Sequence, residues 1–229
     1  MRAILLAAGL GTRLRPLTKS IPKCLLSIKG KPLLEIILTQ LKESHIGPFL
    51  INTHYLSKQI ETYIQQSAFS NEVSIVHEPI LLGTSGTLLA NLDFFNNEDG
   101  LLVHADNYCI ADFNSFINAH NKRPSNCLLT MMTFPTLDPN SCGIVELDEN
   151  GVVIDFHEKV ENPPGNIANG AIYILSKELI SILKKDFQNT SDFSNEVLPK
   201  FLGKIYTYHT KDFFIDIGTL SNYKKANEY

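Results

Sequence analysis

Hydrophobic residues along the first part of the chain form short apolar runs that alternate with segments of helical spacing. Short apolar runs bounded by glycine, proline or polar residues predict strands at 2–8, 48–54, 73–79, 100–106 and 126–134. Apolar side chains three or four positions apart predict helices at 32–46, 57–66, 85–95 and 112–121. Strands that alternate with helices predict an α/β fold with a Rossmann-like, doubly wound and mainly parallel sheet that carries helices on both faces.

The pattern changes after about residue 135. "CGIVELDENGVVIDFHEKV" (142–160) alternates apolar and polar positions around an Asn-Gly pair, which is typical of an antiparallel hairpin with a tight turn. Later strands are predicted at 171–176, 204–210 and 213–218, and helices up to about 186 and at 219–228. We expect these antiparallel strands to form a lid over the sheet. The sequence contains no hexapeptide repeat, so no β-helix domain is expected.

Composition narrows the range of functions. The chain has 229 residues, 44% of them hydrophobic, and a formal net charge of −4. This length predicts a single domain over 1–229, with a first part of about 1–135 and a second of about 136–229. The lack of a basic stretch argues against nucleic acid as a partner, and no apolar run is long enough to span a membrane. Four scattered cysteines without paired spacing indicate free thiols in a reducing, cytoplasmic setting.

The opening segment "AILLAAGLGTRLR" (3–15) fits a phosphate-binding loop better than two other structures that begin in the same way. A secretory signal would need a small-residue cleavage site where "GTRLRP" stands. A dinucleotide-binding turn would need a glycine at position 14, where this chain has Leu14, and an acidic residue after the second strand. What remains is a glycine loop with Arg13, Arg15 and Lys23, whose cations and backbone N–H groups suit the phosphates of one nucleotide. A plain turn with solvated arginines is the alternative.

Carboxylates at the ends of predicted strands are candidate ligands. Asp106 and Asp216 each follow an apolar strand, and Glu78 follows another. Open parallel sheets bind ligands at the carboxyl ends of their strands, and Mg²⁺ prefers oxygen ligands. The two aspartates can share one metal ion only if their strands are neighbours, which the sequence does not reveal. A capping or turn role for Asp106 is the alternative.

Two further segments carry candidate binding residues. Glu158 and Lys159 are adjacent at the end of an alternating strand, so their side chains point to opposite faces unless a bulge or turn intervenes. A solvated pair is the alternative. The small residues at 83–87 in "LLGTSGTLL" would let a flat base approach the backbone, whereas helix capping by Thr84 or Ser85 is the alternative.

Taken in order, these motifs resemble the family of nucleotidyltransferases that make nucleotide sugars from sugar 1-phosphates. "LAAGLGTRLRPLTKSIPKCLL" carries the glycine loop, the arginine and the Pro-Lys pair of that family. The resemblance continues through "EPILLGTSGTL", "VHAD", "CGIVELDENG", "IDFHEKV", "NIANGAIYIL" and "FIDIGT", and so spans nearly the whole chain. There are two departures: Cys24 replaces a proline, and His104 and Ala105 stand where a glycine is common.

The resemblance implies roles for residues along the whole chain. The implied nucleotide-binding residues are Ala7, Ala8, Gly9, Gly11, Thr12, Arg13, Glu78, Gly83, Thr84 and Gly86. The implied sugar-phosphate-binding residues are Gly143, Glu158, Lys159, Asn169 and Gly170. Asp106 and Asp216 would hold Mg²⁺, the implied cofactor. Arg13, Lys23 and Asp106 would be catalytic, with Lys23 near the α-phosphate.

The implied reaction transfers a nucleoside monophosphate from an NTP to a sugar 1-phosphate and releases pyrophosphate. The Pro-Leu-Thr and Ile-Pro-Lys stretches resemble guanylyltransferases for mannose- or heptose-type 1-phosphates. Uridylyl or thymidylyl transfer to glucose-, glucosamine- or N-acetylmuramate-type 1-phosphates is the first alternative, and a non-catalytic nucleotide-binding regulator is the second. A glycosyltransferase is disfavoured because "ADNYC" lacks an Asp-x-Asp pair. The resemblance also allows a homo-oligomer.

Overall fold

The computed structural model describes all residues from Met1 to Tyr229. Its strands are β1 Arg2–Leu6, β2 Ser27–Ile28, β3 Lys31–Pro32, β4 Phe49–Thr53, β5 Val73–His77, β6 Gly100–His104, β7 Asn107–Cys109, β8 Leu129–Pro135, β9 Gly143–Leu147, β10 Val153–Glu158, β11 Ile167–Leu175, β12 Ile205–His209 and β13 Phe214–Asp216. Its α-helices are α1 Leu33–Glu43, α2 Ser57–Gln66, α3 Gly83–Ala90, α4 Phe113–Asn121, α5 Lys177–Asp186 and α6 Leu220–Glu228. Because strands and helices alternate along the chain, the predicted α/β class is confirmed.

Most elements lie where the hydrophobic pattern predicts them. The helix predicted at 57–66 is α2 with the same bounds, and the predicted hairpin is the antiparallel pair β9 and β10. The helix predicted at 85–95 is shorter than expected, because α3 ends at Ala90 and a 3₁₀ turn follows. Strand β7 was not predicted, since three residues are too few to show a period of two.

The chain divides into two compact units that are interleaved in sequence. The first unit contains residues 1–81, 103–110 and 213–229, and the second contains 82–102 and 111–212. The C-terminal segment belongs to the first unit because β13 pairs antiparallel with β7, with Asp216 opposite Asn107. The predicted functional division near residue 135 is a different partition and stays a prediction.

In the first unit, β4 lies between β1 and β5. The pairs β1–β4 and β4–β5 are parallel. Every residue of β4 is buried, as expected for a parallel strand covered on both faces. Helix α1 buries an apolar stripe that includes Leu34, Ile37, Leu38 and Leu41. This packing holds the carboxyl ends of the parallel strands at one edge, where the candidate ligands follow.

In the second unit, β8 lies between β11 and β12, and β9 lies between β10 and β11. The pairs are antiparallel except β8–β12, which is parallel. Tyr173, Phe116 and Phe193 are among the largest fully buried side chains of its core. No helix of either unit is both long enough and apolar enough to cross a membrane.

Candidate active site

The glycine loop after β1 is a tightly built turn. Gly11 has a left-handed φ of 61°, and its carbonyl oxygen accepts a hydrogen bond of 2.7 Å from the hydroxyl of Thr18. A Cβ at Gly11 would lie 2.8 Å from Cγ2 of Thr18, so both conformation and space require glycine here. The chain then forms short 3₁₀ turns instead of a regular helix, as expected from Pro16 and Pro22.

Four charged residues of the first unit meet in what we call the charge cluster: Arg13, Lys23, Asp106 and Asp216. Nζ of Lys23 lies 2.7 Å from Oδ2 of Asp106 and 3.1 Å from Oδ1 of Asp216. Nη2 of Arg13 lies 4.0 Å from Oδ2 of Asp216. The Lys23 side chain is only 10% exposed, whereas the two carboxylates are 38% and 46% exposed. The cluster therefore has a nearly buried cation and two carboxylates that solvent still reaches.

The pairing of β7 with β13 brings the two aspartates together. Asp106 immediately precedes β7, Asp216 ends β13, and the backbone N–H of Ile217 donates to the carbonyl oxygen of Asp106 at 3.1 Å. The backbone N–H of Gly218 donates to Oδ1 of Asp216 at 2.7 Å and orients that carboxylate. The sequence left open whether the strands that carry the two aspartates are neighbours. Strand β6, which Asp106 follows, does not pair with β13; the short strand β7 does, and it brings the two aspartates together.

Mutual attraction keeps Lys23 and Asp106 charged. Burial works against the ammonium of Lys23, but Asp106 and Asp216 outweigh burial and raise its pKa. Burial also works against the carboxylate of Asp106, yet Lys23 and His104 hold its pKa below the ordinary value. Cys24, which stands where the family has proline, is buried, and burial raises the pKa of its thiol to about 12. The departure at Cys24 therefore adds no charge to the cluster.

The two aspartates fit a divalent cation. An oxygen of each carboxylate contacts the same ammonium, so the two carboxylates already share one cation, Nζ of Lys23, and hard oxygen donors are what Mg²⁺ prefers. Asp106 does not cap α4, because the N-cap of that helix is Asp112, whose side chain accepts from the N–H of Ser115. The turn alternative is correct as to place, since Asp106 lies in the turn between β6 and β7. The role of Asp106 and Asp216 as metal ligands stays a prediction that this geometry favours.

A buried polar chain joins the ends of three parallel strands beside the glycine loop. Glu78, 3% exposed, follows β5 and accepts a 2.9 Å hydrogen bond from Nδ2 of Asn52 in β4. Oδ1 of Asn52 accepts from the backbone N–H of Ala7 after β1 at 2.8 Å. Sequence reasoning missed Asn52, although an amide near the end of the otherwise apolar "FLINT" was a usable signal. Glu78 is thus a carboxylate held in a fixed direction.

The small residues of "GTSGT" have a packing role in the second unit. A Cβ at Gly83, whose φ is +78°, would overlap the carbonyl oxygen of Ser191. The hydroxyl of Thr84 accepts from the backbone N–H of Phe193 at 2.8 Å, and the N–H of Ser85 donates to the carbonyl of Ser191 at 3.0 Å. No side chain caps α3, so the capping alternative does not apply. Nucleotide binding by Gly83, Thr84 and Gly86 stays a prediction.

The sugar-phosphate residues predicted in the second unit lie at the same end of three neighbouring strands. Glu158 of β10 pairs with Gly143 of β9, and Ala168 of β11 pairs with Ile144. A Cβ at Gly143 would come within 2.6 Å of Oε2 of Glu158 and 2.7 Å of the Phe156 ring. We call Gly143, Glu158, Lys159 and Asn169 the strand-end cluster.

A turn settles the orientation of Lys159. Lys159 has a left-handed φ of 51°, directly after β10 ends. Its Nζ therefore returns to lie 2.9 Å from Oε1 of Glu158, instead of pointing to the opposite face. Glu158 is 20% exposed and Lys159 62% exposed, so the carboxylate is fixed while the ammonium reaches solvent.

Asn169 lies where β11 becomes irregular. Its Nδ2 donates to the hydroxyl of Tyr173 at 2.7 Å, and its Oδ1 accepts from the backbone N–H of Ala171 at 2.9 Å. Gly170 is buried within the same irregular stretch. Sequence reasoning missed Tyr173, because a tyrosine in an apolar strand looks like an ordinary core residue.

Comparison with known proteins shows the family to which the chain belongs. The family model described as nucleotidyl transferase matches residues 2–229. A D-glycero-alpha-D-manno-heptose 1-phosphate guanylyltransferase from Campylobacter jejuni is 32% identical over 225 residues, which cover 97% of each chain. A UTP–glucose-1-phosphate uridylyltransferase from Synechocystis is 29% identical and covers 99% of this chain. Several curated relatives are longer, since the chain spans only 62–63% of their length.

A solved structure extends the similarity to the fold. HddC from Yersinia pseudotuberculosis, solved in complex with GMP-PN, superposes with a TM-score of 0.83 at 28% identity. The match covers 99% of this chain and 98% of that one, and it confirms the predicted Rossmann-like fold class. With a family model matched over all but the first residue, the chain belongs to the nucleotidyl transferase family.

Proposed function

We propose that this protein transfers a nucleoside monophosphate from a nucleoside triphosphate to a sugar 1-phosphate and releases pyrophosphate. The observation that carries the proposal is the contact of Lys23, which lies beside Gly11 of the glycine loop, with both Asp106 and Asp216. This arrangement combines backbone donors, a fixed ammonium and two converging carboxylates, which are the parts that transfer at a phosphate needs. The sugar 1-phosphate relatives support the choice of acceptor.

The proposed chemistry depends on charge and placement more than on a base. A phosphate monoester has its second pKa near about 6, so the attacking oxygen is already ionised at neutral pH. The obstacle is repulsion between two anions, which positioned cations remove. Arg13 neutralises the departing pyrophosphate, and Lys23 the α-phosphate. Asp106 and Asp216 would hold Mg²⁺, which supplies further positive charge at the phosphates.

The strand-end cluster serves the sugar 1-phosphate in this proposal. Lys159, the more exposed member of its ion pair, binds the acceptor phosphate. The fixed carboxylate of Glu158 accepts hydrogen bonds from sugar hydroxyls, and the amide of Asn169 contacts the sugar. Gly143 and Gly170 contact the sugar through their backbone in this proposal, as the family resemblance implies.

We propose guanine as the base, because Glu78 is a buried, directed carboxylate. A carboxylate only accepts hydrogen bonds, and guanine offers neighbouring N–H donors on its Watson–Crick edge. Uracil and thymine offer one N–H between two carbonyl oxygens that a carboxylate repels. The similarity to a heptose 1-phosphate guanylyltransferase supports guanine with a mannose- or heptose-type acceptor. The similarity to a uridylyltransferase makes uridylyl or thymidylyl transfer the second candidate.

The proposal also covers the cellular compartment, the binding partners and the oligomeric state. All four cysteines are free, which suits the cytoplasmic setting that we propose. The proposed small-molecule partners are the triphosphate and the sugar 1-phosphate, without nucleic acid. Association into a homo-oligomer stays an expectation of the family resemblance, and light scattering on the purified chain measures it.

The test is a grid of triphosphates against sugar 1-phosphates, read as pyrophosphate release with Mg²⁺. GTP, UTP, dTTP and ATP are each paired with mannose, heptose, glucose and glucosamine 1-phosphates. We expect GTP with a mannose- or heptose-type acceptor to give the highest kcat/KM, and a chelator to abolish the signal. Best activity with UTP or dTTP would replace the guanylyl proposal, and no activity with any pair would favour a non-catalytic nucleotide-binding protein.

A further inference from the structure

Strand β11 contains a pronounced irregularity beside the strand-end cluster. Asn169 pairs with Thr133 of β8, but the next paired residue, Tyr173, meets Met131. Strand β11 thus advances four positions where β8 advances two. Within the bulge, Ala171 has a left-handed φ of 51°, which is unfavourable for a residue other than glycine. Such a backbone persists only when neighbouring contacts compensate for its cost.

The amide of Asn169 supplies those contacts. Its Oδ1 accepts from the N–H of Ala171 at 2.9 Å, and its Nδ2 donates to the hydroxyl of Tyr173 at 2.7 Å. One side chain therefore links the strained residue to the residue at which regular pairing resumes. Because both ends of the amide are engaged, the Asn169 side chain cannot rotate freely.

Tyr173 is itself fixed on several sides. Its side chain is fully buried, and its ring packs against Phe193 with the centroids 5.0 Å apart. Its hydroxyl also hydrogen-bonds with the side chain of Ser194. Burial, with a further contribution from the nearby carboxylate of Glu158, raises the pKa of Tyr173, so the phenol stays protonated. A rigid phenol of this kind is a firm anchor for a partner at the surface.

The remaining hydrogen-bonding capacity of Asn169 matches a sugar. A primary amide has two N–H donors and two oxygen lone pairs, so one of each is left after the internal contacts. Asn169 as a whole residue is only partly buried. A donor and an acceptor side by side suit neighbouring hydroxyls, because each hydroxyl both donates and accepts.

We infer that Tyr173 is a positioning residue for the sugar: through its hydrogen bond to Asn169 it fixes the amide that reads a pair of acceptor hydroxyls. This inference rests on the proposed function, because it assumes that the strand-end cluster binds the sugar 1-phosphate. It adds a residue that touches no substrate and acts only through Asn169. It also explains why the bulge has an asparagine and a buried tyrosine at its two ends.

The test is Tyr173→Phe, which removes the phenolic oxygen and keeps the ring. We expect KM for the sugar 1-phosphate to rise about three- to tenfold, as for the loss of one hydrogen bond. KM for the triphosphate and kcat are expected to stay within about twofold, since the charge cluster is untouched. Tyr208→Phe is the matched control, because Tyr208 is a partly buried tyrosine of the same unit whose hydroxyl also meets a serine, Ser115.

A double-mutant cycle separates positioning from general destabilisation. If Tyr173 acts through Asn169, Tyr173→Phe has no further effect on KM in an Asn169→Ala background. Additive effects, or equal rises in both KM values, would overturn the inference. Should Tyr173→Phe fail to fold, Ser194→Ala loosens the phenol from its other side, and the same selective KM rise is expected. Failure of the proposed function is a different result, because the unmutated protein would then lack activity with every sugar 1-phosphate.

Discussion

The charge cluster and the strand-end cluster are held together in different ways. The members of the charge cluster span residues 13 to 216, and they meet through ion pairs between long side chains and carboxylates. The strand-end cluster spans residues 143 to 169 and lies on three neighbouring strands. It contains one ion pair, Lys159 with Glu158, but its geometry depends mainly on backbone shape. The contributing features are the left-handed Lys159, the close contact of Gly143 with the Glu158 carboxylate, and a bulge held by neutral hydrogen bonds.

This difference matches the chemistry proposed for each region. Transfer between phosphates needs positive charge at fixed points, and a charge neutralised by its neighbours is stable enough to be kept nearly buried. Recognition of hydroxyls instead needs hydrogen-bonding groups in a fixed orientation. That orientation comes from the backbone that carries the amide or the carboxylate. We therefore expect the first region to respond most to changes of charge and the second to changes of shape.

Removal of one charge from the charge cluster is expected to have the largest effect. Lys23→Ala and Asp106→Ala should each lower kcat by about 10²–10³, because each removes a charge needed in the transition state. The measurement is pyrophosphate release under saturating substrates, with thermal unfolding as the check on folding. Lys19→Ala is the matched control, since Lys19 is an exposed lysine of the same loop. Turnover near that of the unmutated protein in either variant would remove the cluster from the mechanism.

The charge cluster also marks the limit of what the sequence predicts. The glycine loop, Lys23 and Asp106 are local patterns, so spacing and residue type identify them. The meeting of Asp106 with Asp216 depends on the pairing of β7 with β13, which joins segments a hundred residues apart and is too short to leave a periodic signal. Buried partners such as Asn52 and Tyr173 are equally hidden, because their roles follow from neighbours supplied by other strands.

A substitution at Glu78 tests whether the orientation of a hydrogen-bonding side chain also matters in the first unit. Glu78→Gln keeps the size and an acceptor for Asn52, but it replaces one acceptor oxygen by a donor. We expect kcat/KM for GTP to fall about tenfold or more and the preference for UTP over GTP to rise, as for the loss of one paired contact to a base. Competition between GTP and UTP in one reaction measures the preference. An unchanged ratio would remove Glu78 from base selection.

Gly143→Ala applies a change of shape to the second region without a change of charge. The new Cβ would meet Oε2 of Glu158 at 2.6 Å and the ring of Phe156 at 2.7 Å, so the carboxylate must move. Overpacking of this kind costs about 1–3 kcal/mol, and we expect KM for the sugar 1-phosphate to rise about tenfold. Gly165→Ala is the control, because no atom lies within 4 Å of its Cβ position. Equal rises in KM for both substrates would contradict the separation of the two regions.

The smallest expected effect is a pH dependence of stability that arises in the second unit. His120 is fully buried between Thr130, at 2.8 Å from Nδ1, and Asp99, at 3.4 Å from Nε2. Burial lowers the pKa of His120. The nearby charge of Arg123 lowers it further, and Asp99 only partly offsets these effects. In the unfolded chain this histidine has a pKa of about 6.5. As the pH falls through that value, the unfolded chain binds the proton more readily than the native protein does, so the free energy of unfolding falls.

One such proton changes the free energy of unfolding by at most about 1.4 kcal/mol per pH unit. Urea unfolding at about pH 5 and about pH 8 measures the effect, and His120→Gln should reduce the difference between the two. Burial and Lys211 also lower the pKa of His209, so the unmutated protein shows both contributions and only the comparison isolates His120. An identical pH dependence in the variant would mean that His120 does not contribute. Lys23 and Asp106 are expected to stay ionised over this range, because the pKa of Lys23 is raised and the pKa of Asp106 is lowered.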